Sequence, residues 1–190
     1  SGVYNSEYYD IFSKWCKDMY DFEFPQEQLK FSAGIIPALY QFVEDFCLPD
    51  KKMLTLAPAY GYFLHAAEYN GIELVTSNLK NDNGYFTIDF DDLEAKAKDP
   101  DVAMLMWCNP HNPTGRVWTE DELKRVAEIV KKYDLWIVSD EIHCDFVPPE
   151  HPHTTFGLLG EEVLRHSMVC YSSNKGFNLG GLGMATLVLA

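Results

Sequence analysis

The sequence predicts an α/β protein, a three-layer α/β/α arrangement on a mainly parallel sheet, and three observations predict it. Apolar runs of strand length alternate along the chain with segments whose apolar residues recur every three or four positions. One run, residues 102–108, is apolar throughout, as expected of a strand covered on both faces. No repeat, low-complexity tract or linker interrupts the alternation, so the elements share one core.

In chain order, Tyr8, Ile11, Phe12, Trp15, Cys16 and Met19 mark an amphipathic helix with Lys14, Lys17 and Asp18 on its wet side. Residues 28–32 read as a short strand. Ala33-Gly34-Ile35-Ile36-Pro37 then leads into a helix with the stripe Leu39, Phe42, Val43, Phe46 and Cys47. Pro37 suits its first turn, where a missing N–H costs nothing. A glycine turn feeding a helix start presents free N–H groups and the positive end of the macrodipole, a potential phosphate cradle. Residues 53–56 form a buried strand ending in Ala57-Pro58-Ala59-Tyr60-Gly61, followed by a helix through Tyr62, Phe63, Ala66 and Ala67. Tyr60, at a strand end, can pack in the core or stack on a planar ring. A strand at 72–75, a turn at Asn83-Gly84 and a short helix at 91–97 stopped by Asp99-Pro100 come next.

The run 102–108 ends in Asn109-Pro110-His111-Asn112-Pro113-Thr114-Gly115, whose prolines and glycine forbid regular structure and stiffen the loop. Thr119 and Glu122 have capping-box spacing and open a helix buried along Leu123, Val126, Ala127, Val130 and Tyr133. Residues 135–138 are the next core strand, terminating in Ser139-Asp140-Glu141-Ile142-His143. His151 and His153 follow in a loop and read as loop polarity, since one short pair lacks the spacing of a metal site; no metal is expected. An amphipathic segment runs to Arg165, then a strand 168–171 and a final apolar run, 184–189.

The strand 168–171 delivers Ser172-Ser173-Asn174-Lys175 into a glycine-rich segment. Lys175 is the only acidic or basic residue after His166, so this is not the composition of an ordinary wet surface. An amine at a strand end beside hydroxyls is placed for carbonyl chemistry. Tyr60, Asn112, Asp140 and Lys175 fall at four strand ends, the edge of an open α/β sheet where ligands bind.

Composition narrows the partners. The chain has 15 basic against 29 acidic residues, a formal charge of -14, which would repel a nucleic-acid backbone or an anionic membrane. Five scattered cysteines without a CxxC pair suit packed, reduced thiols, and there is neither a leader pattern nor an apolar run of bilayer length; a cytoplasmic location is expected.

Taken together, residues 109–115, 139–143 and 172–175 resemble the fold-type I pyridoxal-phosphate enzymes of the class I/II aminotransferase superfamily. SDEIH and NKGFNLGGL are most similar to its cystathionine β-lyase, or cysteine C–S lyase, branch. The resemblance implies that Lys175 bonds the aldehyde of pyridoxal 5'-phosphate and that Asp140 lies beneath the pyridine nitrogen and keeps it protonated. It further implies that Asn112, with a lesser part for His143, hydrogen-bonds the phenolic oxygen. Tyr60 would stack on the ring, and Ser172 with the backbone amides of Ile35 and Ile36 would cup the phosphate. Tyr4 matches a tyrosine that reaches the neighbouring subunit's phosphate. Aminotransferases usually carry an arginine eight positions after the lysine; here that position is Gly183, a feature of the lyase branch.

The activity implied is cleavage of L-cystathionine or cysteine conjugates to thiol, pyruvate and ammonia, with aminotransfer or a non-catalytic cofactor-binding fragment as alternatives. Complete members have roughly twice this length, so residues 1–190 are expected to be the large cofactor-binding domain without the N-terminal arm and C-terminal small domain. A homodimer is implied for the complete protein. The core alone is expected to expose apolar area and to aggregate.

Overall fold

A computed structural model describes residues 6–190; Tyr4 lies outside the described residues. Its elements are α1 (Ser6–Tyr20), β1 (Leu29–Ser32), α2 (Ile35–Phe46), β2 (Lys52–Ala57), α3 (Gly61–Asn70), β3 (Glu73–Asn78), β4 (Lys80–Asp82), β5 (Tyr85–Thr87) and α4 (Phe90–Ala97). They continue with β6 (Val102–Cys108), α5 (Glu120–Lys132), β7 (Trp136–Asp140), α6 (Glu161–Leu164), β8 (Ser167–Tyr171), α7 (Ser173–Gly176) and β9 (Ala185–Leu189). Seven strands form one sheet in the order β1-β9-β8-β7-β6-β2-β3. From β8 to β3 every neighbouring pair is parallel, while β9 runs antiparallel to both β8 and β1.

Side chains of a strand alternate between faces, and that alternation divides the core. Met104, Met106 and Cys108 of β6 join the cluster under α2 and α3, whereas Leu105 and Trp107 join the one under α4 and α5. A third cluster, with Cys16 and Tyr20 of α1, covers Val169, Tyr171 and Val188 at the antiparallel side of the sheet. The result is the expected three-layer sandwich.

Local chemistry sets the boundaries. Thr119 and Glu122 make a complete capping box at the start of α5. Gly71 closes α3 in the left-handed conformation. Asn83 and Gly84, at φ 51° and 95°, form the two-residue loop of the β4–β5 hairpin, the turn whose twist matches its strands. Arg116, buried, ties that hairpin to α5: it reaches the Phe86 carbonyl and grips both oxygens of Glu122 at 2.9 and 2.8 Å.

Two expectations for α1 are corrected. Ile11 and Met19 belong to its apolar spacing but are 64% and 59% exposed. The helix lies on the narrow antiparallel end of the sheet, where only Cys16 and Tyr20 become fully covered. All five cysteines are buried and unpaired, and among the described residues no helix is long and apolar enough to cross a membrane.

Candidate active site

Strands β2, β6, β7 and β8 are adjacent and parallel, so their C-terminal ends share one edge. Tyr60 follows β2, Asn112 follows β6, Asp140 ends β7, and Lys175 lies just beyond β8 in α7. Topology thus brings together four residues separated by up to 115 positions in the chain.

Asp140 is the floor of this edge. It pairs in register with Cys108 on one side and Cys170 on the other, and all three are buried. Its Oδ1 accepts one hydrogen bond, from the Ile142 N–H at 3.3 Å. Burial pushes the carboxyl up to about 7; the Ile142 N–H opposes this, the Glu141 charge adds to it, and the Lys175 charge opposes it. The neighbours register the same proximity. Burial and then the Asp140 charge raise the Tyr60 phenol, while burial and then the Lys175 charge lower His143. Tyr60 is half-buried immediately before α3, with its ring 5.4 Å from Tyr62 and 5.9 Å from Phe63. Asn112 and His143 line a cleft of about 270 Å³ with Phe146 and Pro148. The Asn112 backbone N–H donates to Cys108 Sγ at 3.4 Å, which ties this loop to the strand beside Asp140.

Lys175 is exposed and, among the described residues, has no hydrogen-bond or ion-pair partner. The segment around it is apolar yet open, with Phe177 and Leu182 each 70% exposed. Ser172 caps α7: its hydroxyl accepts from the Asn174 N–H at 3.1 Å and donates to the Met184 carbonyl at 2.7 Å. The adjacent Ser173 Oγ is buried without a partner among the described residues.

The start of α2 reaches the same place. Gly183, at φ +55°, sits so close to Ala33 that a Cβ would lie 2.8 Å from the Ala33 carbonyl oxygen. Ala33 and Gly34 therefore lie beside Gly183 and Met184, and Met184 is bonded to Ser172. Ile35 and Ile36 open α2, so their N–H groups precede its first intrahelical bond, and Pro37 has none to offer. That contact also excludes any side chain at position 183 without movement of backbone.

Sequence reasoning missed Glu141 and misjudged His153. Glu141 is fully buried and accepts from Phe156 N–H at 2.7 Å, Ser139 Oγ at 2.9 Å, Asn109 Nδ2 at 3.4 Å and His153 Nε2 at 2.8 Å. His153 is thus a buried partner of a carboxylate, not the polar loop residue expected. Only the acid-acid pair at a strand end signalled this, because the donors come from residues as far as 32 positions away.

An open, mostly parallel α/β sheet with an amine, a buried carboxyl and a helix start gathered at the carboxyl ends of its strands defines an α/β domain of the ligand-binding type. The comparisons make this specific. The model of the family "Aminotransferase class I and II" matches residues 7–189, and the chain belongs to that family. Cystathionine beta-lyase PatB of Bacillus subtilis is 33% identical over 180 residues, covering 95% of this chain and 46% of the relative. Among solved structures, the PLP-bound C-S lyase of Staphylococcus hominis is 39% identical with a TM-score of 0.93, over 100% of this chain and 48% of that one. Cystalysin of Treponema denticola, which contains a pyridoxal 5'-phosphate cofactor, is 34% identical with a TM-score of 0.96, again over 100% and 48%. The chain spans about half the length of the relatives it matches.

Proposed function

We propose that this chain is the cofactor-binding core of a pyridoxal-phosphate-dependent carbon–sulfur β-lyase acting on L-cystathionine or related cysteine conjugates, in a protein that functions as a homodimer. The observation that carries it is the convergence of Lys175 and Asp140 at the ends of neighbouring parallel strands, where the Lys175 charge acts on the Asp140 carboxyl.

The residues present fit the cofactor. Asp140 is a buried carboxyl with one hydrogen-bond donor among the described residues, so acceptor capacity remains for a ring N–H. Lys175 Nζ has no hydrogen-bond or ion-pair partner among the described residues, and the α2 start offers the Ile35 and Ile36 N–H groups beside α7. When bound, pyridoxal phosphate supplies an aldehyde for amine capture and a ring that accepts electrons.

The chain's own residues then have distinct tasks. Asp140 would hold the proton of the ring nitrogen, Tyr60 would pack on the ring, and Asn112 with His143 would hydrogen-bond the phenolic oxygen. The Ile35 and Ile36 N–H groups and the Ser172 hydroxyl would receive the phosphate. Lys175 Nζ would hold the aldehyde until the substrate amine takes its place, and the amine so freed would accept the proton from the substrate Cα. The steric closure of position 183 supports the lyase reading, since the arginine usual in aminotransferases has no room there.

Addition of pyridoxal phosphate to the full-length protein is expected to give a visible band near ~420 nm that survives dialysis and is absent in Lys175→Ala. The wild type is then expected to release thiol and pyruvate from L-cystathionine. Regeneration of the band by a 2-oxo acid without thiol release would replace the lyase by an aminotransferase, and a band retained in Lys175→Ala would remove Lys175 from its role.

A further inference from the structure

The buried carboxylate next to Asp140 is used by nothing in the proposed chemistry, although four separate donors converge on it. Burying a carboxylate is costly unless it is paired and fully hydrogen-bonded. Among the described residues, every hydrogen-bond partner of Glu141 is a group able to donate to a carboxyl oxygen. The donors come from β7 itself (Ser139), from the loop after β6 (Asn109) and from the segment before α6 (His153, Phe156). One side chain therefore ties together the chain segments that surround the end of β7. The Tyr20 ring closes the arrangement, edge-on to His153 at 5.1 Å.

We propose that Glu141 is a positioning residue for Asp140: the donors gathered on its carboxylate lock the end of β7, and its negative charge strengthens the hold of that strand end on a proton or a cationic ring placed against Asp140. This deepens the proposed function and rests on the assignment of Asp140 to the ring nitrogen.

The groups facing Asp140 fix the sign of the effect. Cys108 and Cys170 flank it on β6 and β8 as thiols whose own ionisation is pushed up, first by burial and then by the Asp140 charge, so they add no charge. Tyr60 faces it from the start of α3, also raised and neutral. That leaves Lys175, which favours the ionised carboxylate, and Glu141, which favours a proton. Glu141 is faced in turn by the His153 ring, with Nε2 at 2.8 Å, and by the Cys16 and Cys144 thiols and the Tyr171 phenol, these three raised by burial and further by its charge. A buried carboxyl whose neighbouring side chain is a second acid favours a ligand that brings its own positive charge.

The test reads Asp140 directly, in the full-length protein freed of cofactor, by carboxyl carbon NMR as a function of pH. Glu141→Gln is isosteric and keeps the acceptor oxygen, and it is expected to weaken proton binding at Asp140 by about tenfold. Ser139→Ala removes one donor and keeps the charge, and is expected to stay within about twofold of wild type. The proposal is overturned if Glu141→Gln also stays within about twofold, or if Ser139→Ala moves as far as Glu141→Gln. Should Glu141→Gln not fold, Glu141→Asp retains the charge and must keep the wild-type titration; a drop of about tenfold there would overturn the proposal equally. Failure of the cofactor reading shows elsewhere, as a spectral band that survives in Lys175→Ala, because the Asp140 titration is made without cofactor.

Discussion

The end of β7 and the segment 172–183 lie side by side at one edge of the sheet, yet they are built in opposite ways. Residues 139–141 are buried completely or nearly so; the Glu141 carboxyl is held by groups from several segments, and the Asp140 carboxyl beside it by the Ile142 N–H. Lys175 and its neighbours are largely exposed and held by little more than one four-residue helix and the Ser172 cap. A fixed acid beside an exposed amine suits the function proposed above, in which the acid would keep one geometry while the amine would engage and release a carbonyl. The physical cause is connectivity. A strand inside a parallel sheet has neighbours on both sides, whereas α7 is followed by a glycine-rich turn that packs chiefly through the Gly183–Ala33 approach.

If that contrast is right, substitutions on the two sides should separate function from stability. The largest effect is expected for Lys175→Ala, which should abolish the cofactor band while leaving the unfolding free energy within ~0.5 kcal/mol of wild type, since an exposed side chain without partners is removed. Denaturant titration alongside the spectrum checks this, and a large loss of stability would show that Lys175 is part of the frame.

The next prediction concerns the floor. Burial raises the Asp140 carboxyl from 3.8 to about 7 in the folded chain, so the folded state binds the extra proton between those values. This contribution to stability is therefore fully present below about 4 and is lost as pH rises through about 7, a change of about 4 kcal/mol. Unfolding of the cofactor-free protein from pH 4 to 8 should show that fall in wild type and a flatter profile in Asp140→Asn; equal slopes would contradict the burial argument.

Leu105→Ala follows. Leu105 is wholly buried on β6 between β2 and β7, so its truncation should cost about 3 kcal/mol through lost transfer energy and the cavity left behind. Chemical denaturation measures it. The smallest effect is expected for Ser172→Ala, which removes the cap of α7 at a cost of about 1 kcal/mol. A cost approaching that of Leu105→Ala would mean that the exposed segment is anchored as firmly as the floor.

Much of this was legible in the chain. The spacing of Leu123, Val126 and Val130 and the Thr119–Glu122 box locate α5, and the structure confirms both, because helix period and cap chemistry are local properties. The uninterrupted run of β6 announced a strand covered on both sides. Ile11 and Met19 were misread because periodicity shows which residues share a helix face, not how wide a surface that face meets. His153 looked like loop polarity for a related reason: its partner is 12 positions back, and no spacing rule connects the two.

By itself the sequence determined the alternation of strands and helices, the elements at whose ends Tyr60, Asn112, Asp140 and Lys175 fall, and the family to which their motifs point. These follow from short-range periodicity, turn chemistry and motif content. Only the tertiary structure decided that β2, β6, β7 and β8 lie adjacent, that Asp140 stands dry between two thiols, that Glu141 gathers donors from three segments, and that Gly183 has no room for a side chain. Each of these depends on the approach of groups far apart in the chain, and burial and charge act through space, with no regard to sequence separation.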